Sequence, residues 1–283
     1  MTAPGLTAAV EGIAHNKGEL FASFDVDAFE VPHGRDEIWR FTPLRRLRGL
    51  HDGSARATGS ATITVSERPG VYTQTVRRGD PRLGEGGVPT DRVAAQAFSS
   101  FNSATLVTVE RDTQVVEPVG ITVTGPGEGA VAYGHLQVRI EELGEAVVVI
   151  DHRGGGTYAD NVEFVVDDAA RLTAVWIADW ADDTVHLSAH HARIGKDAVL
   201  RHVTVMLAAT WCECRRACGS AVRVGTRNCW GCISPTTAST WSRGCWWTTP
   251  TPTASRTCCI RVHCKVIRRR RCPTHTRSGW VTC

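Results

Sequence analysis

Leucine stops at Leu207. From residue 208 to 283 the chain has no Leu, Phe, Tyr, Met, Asp or Gln, yet it holds all 11 cysteines, 6 of the 9 tryptophans and 12 arginines. A water-soluble core is built mainly from Leu, Ile, Val and Phe, with charges of both signs outside it. Residues 1–207 have the means to build such a core. The rest is a different kind of text and needs its own explanation.

The genetic code supplies one. In a GC-rich gene, Cys and Trp codons arise when Leu and Val codons are read one base late. Joining the last base of each codon to the first two of the next turns Cys245, Trp246, Trp247 and Thr248 into Leu, Val, Asp without ambiguity, and Cys258 with Cys259 into Leu. The missing apolar and acidic residues thus return together. The tail reads as an out-of-frame product, expected to be disordered or irregular and to share no core with the body. The last strand before it is then expected to lose its successor and expose an edge. The alternative is a true Cys-rich extension.

Charge divides at the same place. Residues 1–207 carry 19 Lys+Arg against 28 Asp+Glu, and the tail carries 13 Lys+Arg against one acid, Glu213. The overall net charge of +3 therefore averages two unlike segments. Taken at face value, a basic tail with Trp and the run Arg268, Arg269, Arg270, Arg271 suggests nucleic-acid binding. The out-of-frame reading removes that partner. The Cys-free body carries no disulfide framework and fits a reducing, cytoplasmic setting. The start, Met1-Thr2-Ala3-Pro4, lacks the basic and apolar pattern of a signal peptide. No run approaches the roughly 20 apolar residues of a membrane span.

Periodicity sorts the body into three expected regions: a helical and irregular region over 1–103, β-coils over 104–207, and the tail over 208–283. Leu6, Val10, Ile13, Leu20 and Phe24 recur at near-helical spacing and predict an amphipathic helix over 4–24. Residues 27–50 read as irregular and 79–89 as a Gly/Pro-rich loop. Asp91 is expected to cap a short helix over 92–101. From residue 104, β-branched runs follow one another: 105–110, 119–124, 136–141, 146–151, 161–166, 172–180, 184–190 and 198–207. No helix-length segment separates them, so the class is mainly β. A sandwich and a stacked solenoid both fit. The scarcity of hairpin turns, and the wholly apolar run 146–150, favour parallel strands buried on more than one side.

Three stretches resemble the SufB/SufD family of iron–sulfur cluster assembly proteins. They are Glu37-Ile38-Trp39-Arg40-Phe41-Thr42-Pro43-Leu44, then residues 158–166 with Ala174-Val175-Trp176, and then 193–198 through Val205. The back-shifted tail continues the likeness. A short, Cys-free body is closer to SufD than to SufB. The resemblance implies a right-handed parallel β-helix with helical flanks, here partial. It also implies a scaffold, not an enzyme, pairing with SufB-like and SufC-like subunits, the SufC ATPase being held by C-terminal helices. The iron–sulfur cluster is handled transiently by the complex. The family's cluster-associated histidine aligns beyond Cys283 and is carried over to no residue here.

Other site readings stay weak. His186 and His190 share a strand face and, with His191, Asp182 and Asp183, offer metal-type donors. Exposed histidines on a surface coil are the favoured reading. Asp151-His152-Arg153 before Gly154-Gly155-Gly156 offers an anion-binding turn, against a plain inter-strand loop. The segment 125–129 opens no helix and is no dinucleotide fingerprint. No phosphate loop is present. Cys212, Cys214, Cys218, Cys229 and Cys232 permit a zinc site only if the tail is genuine. Trp176, Trp180, Asp179, Asp182 and Asp183 are the one cluster a polysaccharide-acting β-helix enzyme could use. No catalytic residue, metal ligand or tightly held cofactor is assigned. Two rivals to the scaffold remain: a β-domain with a zinc- or nucleic-acid-binding tail, and the polysaccharide enzyme.

Overall fold

The computed structural model describes residues 21–36, 39 and 42–207 with their side chains. It also describes the backbone of residues 208, 211–220, 226–233, 240–245 and 256–260. Most of the expected helix over 4–24 lies outside the described residues, and its end, 21–24, is not helical. The described residues of 27–50 are irregular apart from two short 3₁₀ turns, Val26–Ala28 and Leu44–Leu47. Helix α1 spans Arg92–Ser100, and the Asp91 carboxylate accepts from the Ala94 amide as its cap.

Two strands that are not among the expected runs, β1 (Thr62–Val65) and β2 (Val71–Arg77), come before the expected β region. Then follow β3 (Ser103–Val109), β4 (Val119–Thr124), β5 (Val131–Ile140), β6 (Glu145–Arg153), β7 (Thr157–Val166), β8 (Arg171–Asp179), β9 (Val185–Ile194) and β10 (Val199–Ala208). From β3 onward successive strands alternate between two sheets: β1-β4-β6-β8-β10 on one side, β2-β3-β5-β7-β9 on the other. From β3 and β4 onward the pairing is parallel, while β1 and β2 close the ends antiparallel. This is a parallel β-solenoid. Val131 pairs with Thr157 and Thr157 with Val185, so one coil takes 26 to 28 residues.

The turns stack as the strands do. Leu143, Ala169 and Asp197 sit one coil apart with left-handed φ of 62°, 56° and 56°. The Leu143 amide donates to Asp168 O, and the Ala169 amide to Lys196 O. On the opposite edge, Gly125 lies so close to the next coil that a Cβ there would meet the Gly155 carbonyl at 2.5 Å and Trp180 at 2.8 Å.

The two sheets differ in exposure. Between them lies one core, including Val107, Ile121, Val138, Ile150, Phe164 and Trp176. The outer face of the β5–β7–β9 sheet is covered by α1 and the N-terminal segments. A second core sits there, with Trp39, Leu47, Leu50, Val93, Phe101 and Leu187. The strands β7 and β9 are accordingly buried along almost their whole length. The apolar run 146–150 is not buried on both sides, contrary to expectation. Ala146, Val148 and Ile150 point inward, while Val147 is 37% exposed on the outer face.

The ladder also continues past Leu207. Strands β11 (Trp211–Ser220), β12 (Thr226–Ile233), β13 (Thr240–Cys245) and β14 (Arg256–Ile260) pair in parallel onto β9, β10, β11 and β12. Over these segments the backbone differs from the irregular tail that the composition predicts, and β10 is paired on both sides. The physical reason is that a parallel edge offers main-chain donors and acceptors to any extended segment, whatever its side chains. Thr, Val, Trp and Cys do not oppose strand geometry. The remaining tail residues lie outside the described ones.

Candidate functional site: a buried histidine–carboxylate network

His186, His190 and His191 are not surface histidines. Their residues are 0%, 2% and 3% exposed, because β9 is covered on both faces. His186 and His190 point into the solenoid and His191 points out beneath α1, as strand alternation requires. The carboxylates Asp182 and Asp183 are not their partners. The partner of His186 is Asp160 on β7, one coil earlier, with Nε2 at 3.0 Å from Oδ1.

The interior cluster is built from three coils. His152, from the end of β6, places its Nδ1 3.1 Å from Ile177 O and its Nε2 3.8 Å from Asp160 Oδ2. That Nε2 has no hydrogen-bond partner. The Trp180 indole N–H donates to His186 Nδ1 at 2.9 Å. An indole nitrogen can only donate, so His186 Nδ1 must carry the lone pair and Nε2 the proton. His186 therefore donates to Asp160. Burial pushes the His186 pKa down, which agrees with a neutral ring, while Asp160 opposes that shift. Burial alone would raise Asp160, but His186 and His152 outweigh it and hold the carboxyl below its ordinary value. The rings of Tyr158, Trp176 and His186 stack around the pair.

His152, Asp160 and His186 are the one group of metal-type donors among the described residues, with ligand atoms within 4.8 Å of one another. Both His186 nitrogens are already committed. That leaves His152 Nε2 and Asp160, two short of a tetrahedral set. The arrangement is suited to locking three coils in register. Further along, His190 contacts His202 at 3.2 Å and Ser188 at 2.9 Å, extending the polar line through the core.

A second network ties the N-terminal covering to the outer face of the same sheet. Glu163 accepts from the Gly84 amide (2.7 Å), the Gly86 amide (2.8 Å) and Gln137 Nε2 (3.1 Å), and meets His135 Nε2 at 2.7 Å. Burial would raise its pKa, but the His135 bond leads the contacts that hold it low. Asn161 donates through Nδ2 to Ala94 O on α1, which fixes its amide orientation, so His191 Nε2–H donates to Asn161 Oδ1. Burial lowers the His191 pKa to about 4.

The remaining candidates resolve by position. The glycines around 125–129 and 154–156 form stacked turns. The Gly125 and Gly127 amides donate to Arg153 O and Gly155 O. Trp176 and Trp180 are 0% and 2% exposed and line no groove that a glycan could enter. Cys212, Cys214, Cys218, Cys229 and Cys232 lie on β11 and β12, described in backbone alone.

Composition does not flag Asp160, Glu163 or His135, and it offers His152 only as part of a turn. Coil spacing would have flagged them. His135 and Glu163 are 28 residues apart across strands in a 26-residue register, and Asp160 and His186 are 26 apart across strands in a 28-residue register, so each pair lies two residues from one full coil, diagonal on adjacent strands. A buried acid and base about one repeat apart become neighbours on adjacent strands.

Residues 122–214 match the family described as SUF system FeS cluster assembly, SufBD core domain. Those residues are the coils from β4 to β11. An iron–sulfur cluster assembly SufBD family protein of Mycobacterium leprae (strain TN) is 75% identical over 202 residues, covering 70% of this chain and 52% of the relative. The chain thus spans about half the length of the curated relative it matches. Solenoid coils, a family match lying on them and this level of identity agree: the chain belongs to the SufB/SufD family.

Proposed function

We propose that the chain is a scaffold subunit of iron–sulfur cluster assembly, closer to SufD than to SufB, and not itself an enzyme. The observation that carries this is the overlap of the family core, residues 122–214, with the coils. A rigid ladder with buried polar ties is a surface on which partners can be held in fixed relation. Its buried acids and bases hold one another, which favours a structural role over a chemical one. In this reading the cluster is cargo, made at a joint site with a SufB-like subunit and powered by a SufC-like ATPase in the cytoplasm.

The same reading makes residues 208–283 an out-of-frame product. Support comes from the codon pattern and from the family match ending at residue 214, shortly after the composition changes. Neither membrane nor nucleic acid is then a partner. No described helix is long and apolar enough to cross a membrane. The test is co-purification of two versions, the 283-residue chain and one with a single base restored near codon 207, each expressed with SufB and SufC homologues. The restored version should retain both partners and the 283-residue chain should not retain SufC. Equal capture of SufC by both would refute the frame-break reading, and capture of neither partner by the restored version would refute the scaffold reading.

A further inference from the structure

The N-terminal mouth of the solenoid holds a cleft of about 250 Å³ between the edge strands β1 and β2. Ser60 and Thr62 line one wall, and Thr75, Asn102, Ser103 and Thr105 line the other. No Lys, Arg, His, Asp or Glu side chain is among its lining residues. At its floor lies Tyr158, which is 1% exposed.

Tyr158 is aimed into the cleft by a glycine. A Cβ at position 134 would stand 1.8 Å from the phenol oxygen, so any other residue there would expel the hydroxyl. The ring is fixed from beneath by stacking on His186 at 5.3 Å. Among the described residues the phenol oxygen has no hydrogen-bond partner. The oxygen faces the cleft, so a ligand seated there can take a hydrogen bond from it, worth about 0.5–1.5 kcal/mol net for a neutral pair. Burial also raises the phenol pKa well above its ordinary value, so the group stays a donor across the physiological range.

The lining narrows the ligand class. Hydroxyl and amide groups each donate and accept, which suits a partner that does both. A charged ligand would lose hydration and find no counter-charge. We propose that this cleft binds a small, uncharged polyhydroxylated molecule of monosaccharide or cyclitol size, recognised through the Tyr158 hydroxyl. The inference does not depend on the scaffold reading.

The probes are D-glucose, D-xylose and myo-inositol, with inorganic phosphate as the charged comparison. Each is titrated into the 283-residue chain by saturation-transfer NMR and calorimetry. At least one neutral probe should bind saturably, and Tyr158→Phe should weaken it roughly five- to tenfold, the loss expected of one neutral hydrogen bond. Near-UV circular dichroism checks that the variant keeps its aromatic packing. Thr105→Val and Thr75→Val change the wall without touching the floor, and each should weaken the same probe. If Tyr158→Phe does not fold, those two carry the comparison. Absence of saturable binding by all three neutral probes overturns the proposal. So does a response to phosphate alone, or unchanged affinity in every folded variant.

Discussion

Removing the Glu163 carboxylate should release the loop from residue 80 to 87 and weaken the whole fold. Its side chain is 1% exposed and collects hydrogen bonds from Gly84, Gly86 and Gln137 while meeting His135. Glu163→Ala leaves these donors facing an apolar methyl. A buried donor without a partner costs about 1–3 kcal/mol, but the Gly84 bond is only part-buried and neighbouring losses do not add fully. The expected destabilisation is about 3–5 kcal/mol for Glu163→Ala. Glu163→Gln keeps one acceptor oxygen and turns an NH₂ toward existing donors, so about 2–3 kcal/mol is expected. Urea unfolding followed by circular dichroism gives the global value. Trypsin cleavage at Arg82, which sits in the released loop, gives the local one. In Glu163→Ala, cleavage at Arg82 should accelerate more than cleavage elsewhere in the body. Stability within about 0.5 kcal/mol of the parent, with Arg82 still protected, would show that the network is not the anchor.

Other consequences can be checked alongside it. Burial holds the His191 pKa near 4, below the ordinary 6.5, so the unfolded chain binds a proton across that window and the folded chain does not. Stability should therefore fall as pH drops from about 6.5 to 4, by at most about 3 kcal/mol from this residue, and His191→Gln should flatten the profile in urea melts. Asp160→Asn keeps one acceptor oxygen for His186 but removes the charge beside His152 and puts an NH₂ into the core, and should cost about 2–4 kcal/mol, read as a lower urea midpoint with an unchanged slope. Because both His186 nitrogens are engaged, zinc or iron added to the chain should not raise its melting temperature through this cluster; a rise abolished by His152→Ala would refute that tautomer assignment. Gly125→Val would drive a side chain into the Gly155 carbonyl and Trp180, and should cost at least about 2 kcal/mol, seen as a lower melting temperature.

Much of the fold is legible in the sequence because repetition exposes it. Strands β3 to β10 fall where β-branched runs stand, and α1 follows Asp91 as a capped helix. The parallel arrangement is legible as well, though for a partly wrong reason. Val147 and Val149 look buried by composition, yet they lie on the outer sheet face, which no described element covers. The strand that is buried on both sides, β7, carries Asp160, Asn161 and Glu163 and so looks amphipathic. Charge there reports internal pairing, not solvent. The turns mislead in a similar way. Leu143 and Ala169 adopt left-handed backbone without being Gly or Asn, because coil-to-coil hydrogen bonds hold them there. Strands β1 and β2 pass unseen: β1 alternates, Thr62-Ile63-Thr64-Val65, but over four residues alone, and β2 exposes most of its residues.

The histidines show what a linear reading lacks. His186 and His190 are correctly placed on one face of a strand. Which carboxylate they meet depends on the coil length, and that emerges only from the register of β7 against β9. Asp182 and Asp183 are nearer in sequence, but they belong to the turn, where the Asp183 carbonyl accepts from Arg48.

The central claim is that these coils serve iron–sulfur cluster assembly. Its most direct test is complementation in cells depleted of their own SufB/SufD-family scaffold, with the activity of an iron–sulfur enzyme such as aconitase as the readout. The frame-restored gene should recover that activity, and the gene for the 283-residue chain should not. Failure of the restored gene, with its protein present at normal levels and bound to its SufB-like partner, would contradict the account.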